Sequence, residues 1–243
     1  MENISKFFTG RIGHFKFITF GTVHLSILFI ALIISIFVYN IKNENRNLEL
    51  FIGCVLVFQQ ITLYSWYFIS KFNNIKEGLP LYHCRIAIIF LGLGLVFNKK
   101  NLIKFGSYLG IFGSIVALLF PAMDPFAFPH ITQFSFFIGH LFLLWGCVYS
   151  LAIKKVGMSK LDLNYSLIFI NIYHVLMFIL NNKIYSNYGY MSHPPFSMNF
   201  QLPHLFYGFL IMMLFNIVFI SEYICLNKVG SYDKNDNEYE LVS

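Results

Sequence analysis

Residues 17–39 read FITFGTVHLSILFIALIISIFVY, a run without a single charged side chain. At about 1.5 Å of rise per residue, a helix over this run outreaches the roughly 30 Å of a bilayer's hydrocarbon core. The run is too long for the apolar core of a signal peptide and carries no cleavage pattern, so it reads as a retained membrane span. Six further stretches match it working outward: Leu48–Ser70, Pro80–Phe97, Ile103–Phe120, Phe134–Ile153, Leu163–Leu180 and Pro203–Leu226. The third and fourth are short and separated only by the turn around Lys99, Lys100 and Asn101, which predicts an antiparallel hairpin. Composition agrees: 12% of residues are charged and mean hydropathy is +0.65, against about 25% charged in a soluble domain. So few charges cannot solubilise so much apolar surface. The expected fold is all-α, a polytopic membrane protein built as a bundle of seven transmembrane helices.

That bundle is expected to occupy residues 1–227 as one domain, with no internal repeat. Phe7, Phe8, Ile12 and Phe15 interleave with Lys6, Arg11 and Lys16, the pattern of a short amphipathic helix over residues 1–16 lying among headgroups. Residues 228–243 are polar and read as a disordered tail. Lys and Arg in the loops divide six to the N-terminal side and ten to the other. The positive-inside rule then places the N-terminus outside and the C-terminus in the cytoplasm. The net charge of +6 is accounted for by anionic lipid headgroups, so membrane lipids are the expected partners and no nucleic acid is implied.

Ionisable side chains are costly inside a membrane, so they face the bundle interior or a wet cavity. Counting from the outer ends of the spans, His24, His140 and His174 fall about 10 Å deep, with Cys84 and Arg85 about 6 to 8 Å deep on a fourth helix. One histidine alone is explained by hydrogen bonding between helices. Together they point to a shared polar cavity opening to the outer face. Two outer loops flank it, one with Pro121, Asp124, Pro125, Pro129 and His130, the other YSNYGYMSHPPF at 185–196. Both are rich in Tyr, Phe and Pro, as lids at a lipid interface or ordinary belt aromatics would be. His193 and His204 fit either role.

No Asp or Glu occupies that layer, so paired-carboxylate chemistry is excluded there, with Asp124 the nearest loop carboxylate. HExxH, CxxC and phosphate-binding glycine loops are absent. What remains is a thiol with histidines: Cys84 as nucleophile and His140, from another span, as its base. His83 adjoins Cys84, and neighbouring side chains diverge on a helix unless the helix begins there. Arg85 is placed to hold a phosphate or favour the thiolate. Gln59 and Gln60 sit deeper, as oxyanion donors or interhelical glue. Cys54, Cys147 and Cys225 lie toward the inner side, out of reach of Cys84, so no disulfide framework is expected. The expected site holds no cofactor. The alternative is zinc on His24, His140 and His174, which lacks a carboxylate base. A transporter or receptor with a histidine-lined pocket is the third reading.

FGTVHLSIL at 20–28, FQQITLYSW at 58–66, LPLYHCRIA at 79–87, LLFPAMDP at 118–125, FPHITQFSFFIGH at 128–140 and NNKIYSNYGYMSHPP at 181–195 follow one another along almost the whole chain. In order and spacing they resemble the landmarks of the YwaF-like bacterial integral membrane proteins. That family is similar to vertebrate transmembrane phospholipid acyltransferases and, more remotely, to androgen-induced-type membrane hydrolases. The resemblance implies a nucleophile at Cys84, a histidine at His140, and an acyltransferase or acyl hydrolase acting on lipid. The family often carries a histidine two residues before the cysteine. This chain has Tyr82 there and His83 one place later, so no family role passes to His83.

Overall fold

The computed structural model describes residues 6–13, 17–194 and 202–229, with side chains to 226. All regular structure among them is helical: α1 (Thr22–Tyr39), α2 (Arg46–Ser70), α3 (His83–Phe97), α4 (Lys100–Leu119), α5 (Ile131–Val148) prolonged by a π-helical turn (Tyr149–Ile153), α6 (Lys160–Ile184) and α7 (His204–Val229). Six are long and apolar enough to cross a membrane. The seventh, α3, has 15 residues, and at about 1.5 Å each they fall short of a hydrocarbon core.

Every expected span contains a helix, and the boundaries move for local reasons. α1 starts at Thr22 because Phe20 turns into the left-handed region (φ 61°) and its N–H donates to His24 Nδ1 at 2.8 Å. α3 starts at His83, not Pro80, because the residues before it are held by other elements: Leu79 N–H donates to the Tyr188 hydroxyl (3.0 Å) and the Tyr173 hydroxyl to Leu81 O (2.5 Å). α2 begins earlier than expected, capped by the Asn45 side chain, which accepts from the N–H groups of Asn47 and Leu48. Ser159 and Asp162 form a reciprocal capping box at the start of α6, a spacing visible in the sequence.

The predicted α3–α4 hairpin turns on Asn98 (φ 52°), a residue type that tolerates that conformation. Its two backbones touch: a Cβ on Gly106 would lie 2.5 Å from Leu91 N, and one on Gly94 2.7 Å from Ile103 N. Small residues let membrane helices approach this closely, and packing replaces the hydrophobic drive that lipid does not supply. α3 is the axis of the bundle, with Ala87, Leu91 and Leu95 fully buried between α2, α4 and α5. α1 packs on α5 and α7 chiefly on α6 at the periphery, where Phe29, Phe37, Leu205 and Phe209 are exposed, as lipid-facing side chains are.

The loops around 71–82, 120–130 and 185–194 roof one end. Of the segment expected to be an interfacial helix, residues 1–5 and 14–16 lie outside the described residues, as do 230–243 of the expected tail. Residues 6–13 lie along the roofed end, where Phe8 O accepts from Trp66 Nε1 (3.1 Å) and Gly13 N–H donates to Pro125 O (3.1 Å). At the opposite end Glu49, 2% exposed, pairs with Lys154 (2.8 Å) and Arg46 (3.0 Å). Arg46 also donates to Leu95 O and Val96 O, closing the last turn of α3.

Gly106→Val drives a branched side chain into the α3 backbone. Overpacking of this kind costs about 1–3 kcal/mol, so a lower Tm in detergent is expected. An unchanged Tm would show that the two helices do not meet there.

Candidate functional site

α4 serves as a ruler for depth. A Cβ on Gly113 would lie 3.2 Å from Cys84 Sγ, and one on Gly110 2.7 Å from the Leu143 side chain. α4 and α5 are antiparallel, so His140, one turn above Leu143, stands at the height of Cys84. His24 bonds to Leu118 O, five residues above Gly113 and so about 7.5 Å nearer the roofed end. His174 is level with α3's first residue, since its Nε2 lies 2.8 Å from His83 Nε2. Of the expected layer, Cys84, His140 and His174 stand near one height and are joined there by His83, with His24 above them and the Arg85 guanidinium reaching up to the roof.

Cys84 is the second residue of α3, in the first turn. In that turn N–H groups have no intrahelical acceptor. No hydrogen bond joins Cys84 and His140 among the described residues. What distinguishes His140 is its tautomer. Its Nδ1 lies 2.7 Å from Phe136 O, and a carbonyl only accepts, so Nδ1 carries the hydrogen and Nε2 presents a bare lone pair, the arrangement of a general base. In His24 both nitrogens are engaged, Nδ1 accepting from Phe20 N–H and Nε2–H donating to Leu118 O at 2.7 Å. His24 pins the start of α1 to the end of α4. His83 and His174 share one hydrogen, and His174 Nδ1 has no partner.

Above this level Arg85 ties the roof together. Its guanidinium donates to Glu77 O, to Leu79 O (3.0 Å) and to the Tyr67 hydroxyl (3.1 Å). The rings of Tyr64, Tyr67 and Tyr82 surround it at 5.0–5.9 Å, within cation–π range. The Tyr67 hydroxyl passes its own hydrogen to Asp124 (3.1 Å to both oxygens), and the Tyr82 hydroxyl donates to Glu77 (2.6 Å). Burial pushes the carboxyl of Asp124 above its ordinary range, opposed by Arg85 and the Tyr67 hydrogen bond. Burial likewise raises Glu77, opposed by the Tyr82 hydrogen bond. Tyr190, in the short turn Tyr188–Tyr190, has its hydroxyl raised by burial. Tyr188 anchors it, accepting from Leu79 N–H and donating to Ile75 O (2.9 Å).

Gln59 and Gln60 are not deeper than the histidines. Gln59 Nε2 donates to Ser135 O (3.1 Å) and Oγ (2.5 Å), and Gln60 donates to Gln59 Oε1 (2.7 Å). A Cβ on Gly139 would sit 3.2 Å from the Gln59 carboxamide. The pair bridges α2 and α5 beside His140, with both amide hydrogens of Gln59 used. His24, His140 and His174 are engaged separately, and among the described residues no three His, Cys, Asp or Glu side chains come close enough to hold a metal ion. The four cysteines are free. His130 caps α5, donating through Nε2 to Thr9 O (2.9 Å) and stacking on Phe126, and His193 contacts Asn187. Sequence reasoning missed the tyrosine cage of Arg85, the bond between His83 and His174, and the ion cluster at Glu49. Tyr64 and Tyr67 at i, i+3 were a legible pair, but nothing local said that Arg85 would enter between them.

Fold and site together define a multi-pass helical membrane protein with thiol and imidazole groups sealed beneath a roof of loops. The chain belongs to the TMEM164 family, whose model matches residues 17–226. No curated protein and no solved structure gives a significant match.

The raised carboxyl of Asp124 gives a pH signature. Between the ordinary carboxylate pKa of about 4 and the folded value, the folded form holds the extra proton, so stability falls as pH rises through that window and returns on acidification. Asp124→Asn removes this contribution, so the slope of Tm against pH is expected to flatten. Equal slopes in both proteins would show that Asp124 is solvated.

Proposed function

We propose that the chain is a lipid acyltransferase or acyl hydrolase whose nucleophile is Cys84 and whose base is His140. The observation that carries the reading is the state of these two groups. Cys84 Sγ and His140 Nε2 stand at one height in the bundle and are not tied to other side chains, and the Nδ1–H bond to Phe136 O leaves His140 in the tautomer suited to taking a thiol proton.

The step proposed is acyl transfer. His140 Nε2 takes the proton from Cys84 Sγ, and the thiolate attacks the carbonyl carbon of a lipid ester. The ester C–O bond breaks, the leaving alcohol takes its proton from His140, and the acyl group rests on sulfur as a thioester. A second alcohol or water then gives its proton to His140 and takes the acyl group, restoring the thiol. N–H groups of α3's first turn lie beside the sulfur and are the nearest donors for the developing oxyanion, because Gln59 is already committed to Ser135. Approach of Cys84 to His140 accompanies substrate entry, as active-site hydrogen bonds often tighten only when substrate is bound. Arg85 would orient a headgroup while keeping its roof contacts, and His24 and Tyr82 would shape the entrance above.

In this reading the chain crosses the membrane seven times, α3 completing its span with the residues that precede it, Pro80–Tyr82. The roofed end lies outside and the Glu49 cluster inside, in a bacterial cell membrane, in line with the YwaF-like landmarks. Substrate would come from the outer leaflet.

Lipid mass spectrometry of cells carrying wild type, Cys84→Ala or His140→Ala, with probe labelling of the thiol, tests the reading. Either substitution is expected to lower acyl exchange by at least about a hundredfold, the scale of a lost nucleophile or base, with wild type alone labelled at Cys84 and retaining exchange. Indistinguishable lipid profiles and an unlabelled Cys84 would overturn it.

A further inference from the structure

We infer that the bonded imidazoles of His83 and His174 form a positioning device for Cys84, acting on the thiol through the backbone and not on the substrate. The inference rests on the reading of Cys84 as the nucleophile and deepens it.

His83 is the first residue of α3 and is held from three directions. Its ring stacks on Phe215 of α7 with centroids 3.9 Å apart and planes at 18°. It meets Tyr173 of α6 edge-on at 5.0 Å, and its Nε2 lies 2.8 Å from His174 Nε2. His174 is fully buried and its Nδ1 has no partner. A buried N–H without an acceptor is rarer and more costly than a bare lone pair. The hydrogen of His174 therefore sits on Nε2, where it donates to His83.

Successive side chains on a helix point about 100° apart. Fixing His83 against α6 and α7 therefore fixes the direction of Cys84, toward α4. There the missing side chain of Gly113 leaves room for the sulfur, which lies 3.2 Å from where a Cβ would be. The anchorage matters because of where it falls. The first turn of a helix has the fewest backbone hydrogen bonds of its own, so side-chain contacts decide whether it holds one geometry. Gly189 (φ 66°) closes the same pocket from above, with His83 Cε1 and the Tyr173 hydroxyl 3.3 Å and 2.8 Å from the position a Cβ would take.

The test uses the purified full chain in nanodiscs, with alkylation by N-ethylmaleimide resolved per cysteine by mass spectrometry. His174→Phe keeps the ring but loses the bond, and is expected to raise the labelling rate of Cys84 by about tenfold, the scale of one hydrogen bond's net contribution. His83→Phe should do the same, and the double variant no more than either. His174→Gln, which offers a donor near Nε2, should return the rate toward wild type. General loosening would also raise labelling of buried Cys147, which is expected to stay unchanged. If His174→Phe does not fold, Phe215→Leu removes the stack and should free Cys84 in the same way. An unchanged Cys84 rate, equal rates for the Gln and Phe variants, or a parallel rise at Cys147 would overturn the inference. Acyl transfer is measured on the same samples. A Cys84 rate that responds while wild type transfers no acyl group would overturn the acyl reading and leave the positioning role standing. Transfer by wild type and pair variants alike, with unaltered Cys84 rates, would overturn the positioning role alone.

Discussion

A hydrogen-bonding group inside a lipid-bounded bundle has no water to fall back on, and this constraint organises the whole structure. Its fullest expression is Arg85, whose guanidinium reaches the carbonyls of one loop and, through Tyr67, the Asp124 carboxylate of another. A charge at that depth is tolerable only because donors, acceptors and three aromatic faces surround it. In meeting its own needs Arg85 fixes the loop 71–82 to the loop 120–130, and so builds the roof over Cys84. The cluster around Glu49 does the same at the opposite end, where Arg46 and Lys154 join α2, α3 and the chain after α5.

The same requirement sorts the histidines. His24 and His130 satisfy both ring nitrogens with partners from other segments and act as clasps. His140 satisfies one and holds the other bare. His83 and His174 bond to each other through Nε2, and His174 Nδ1 stays without a partner. In sequence these residues look alike, a lone imidazole in or beside an apolar span. Their differences arise from partners up to 121 positions away, which no local pattern carries.

Where the determinants are local, the chain was legible. Length and hydrophobicity of the seven runs and the short polar turn at Lys99, Lys100 and Asn101 predicted the helices and the α3–α4 hairpin. Depth counted from span ends set His24, His140 and His174 level with one another, and of these His140 and His174 stand near the height of α3's first turn. It misplaced His24 because Phe20 breaks the chain just before α1. For Cys84 the run of apolar residues hid the start of α3, set by Tyr188 and Tyr173 holding the preceding backbone. That boundary moved Cys84 from the second turn to the first, and changed the donors around it. Gln59 and Gln60 were read as deeper because α2 was measured from its end without knowing which residue of α5 it would face.

The central proposal is that Cys84 and His140, which stand at one height in the bundle, face one space. Cross-linking His140→Cys to Cys84 with a bifunctional methanethiosulfonate in native membranes measures this most directly. The account predicts an intramolecular link with the shortest reagent, absent in a Cys84→Ser, His140→Cys chain. Failure to link with reagents of any length, while each thiol alone is reactive, would contradict it.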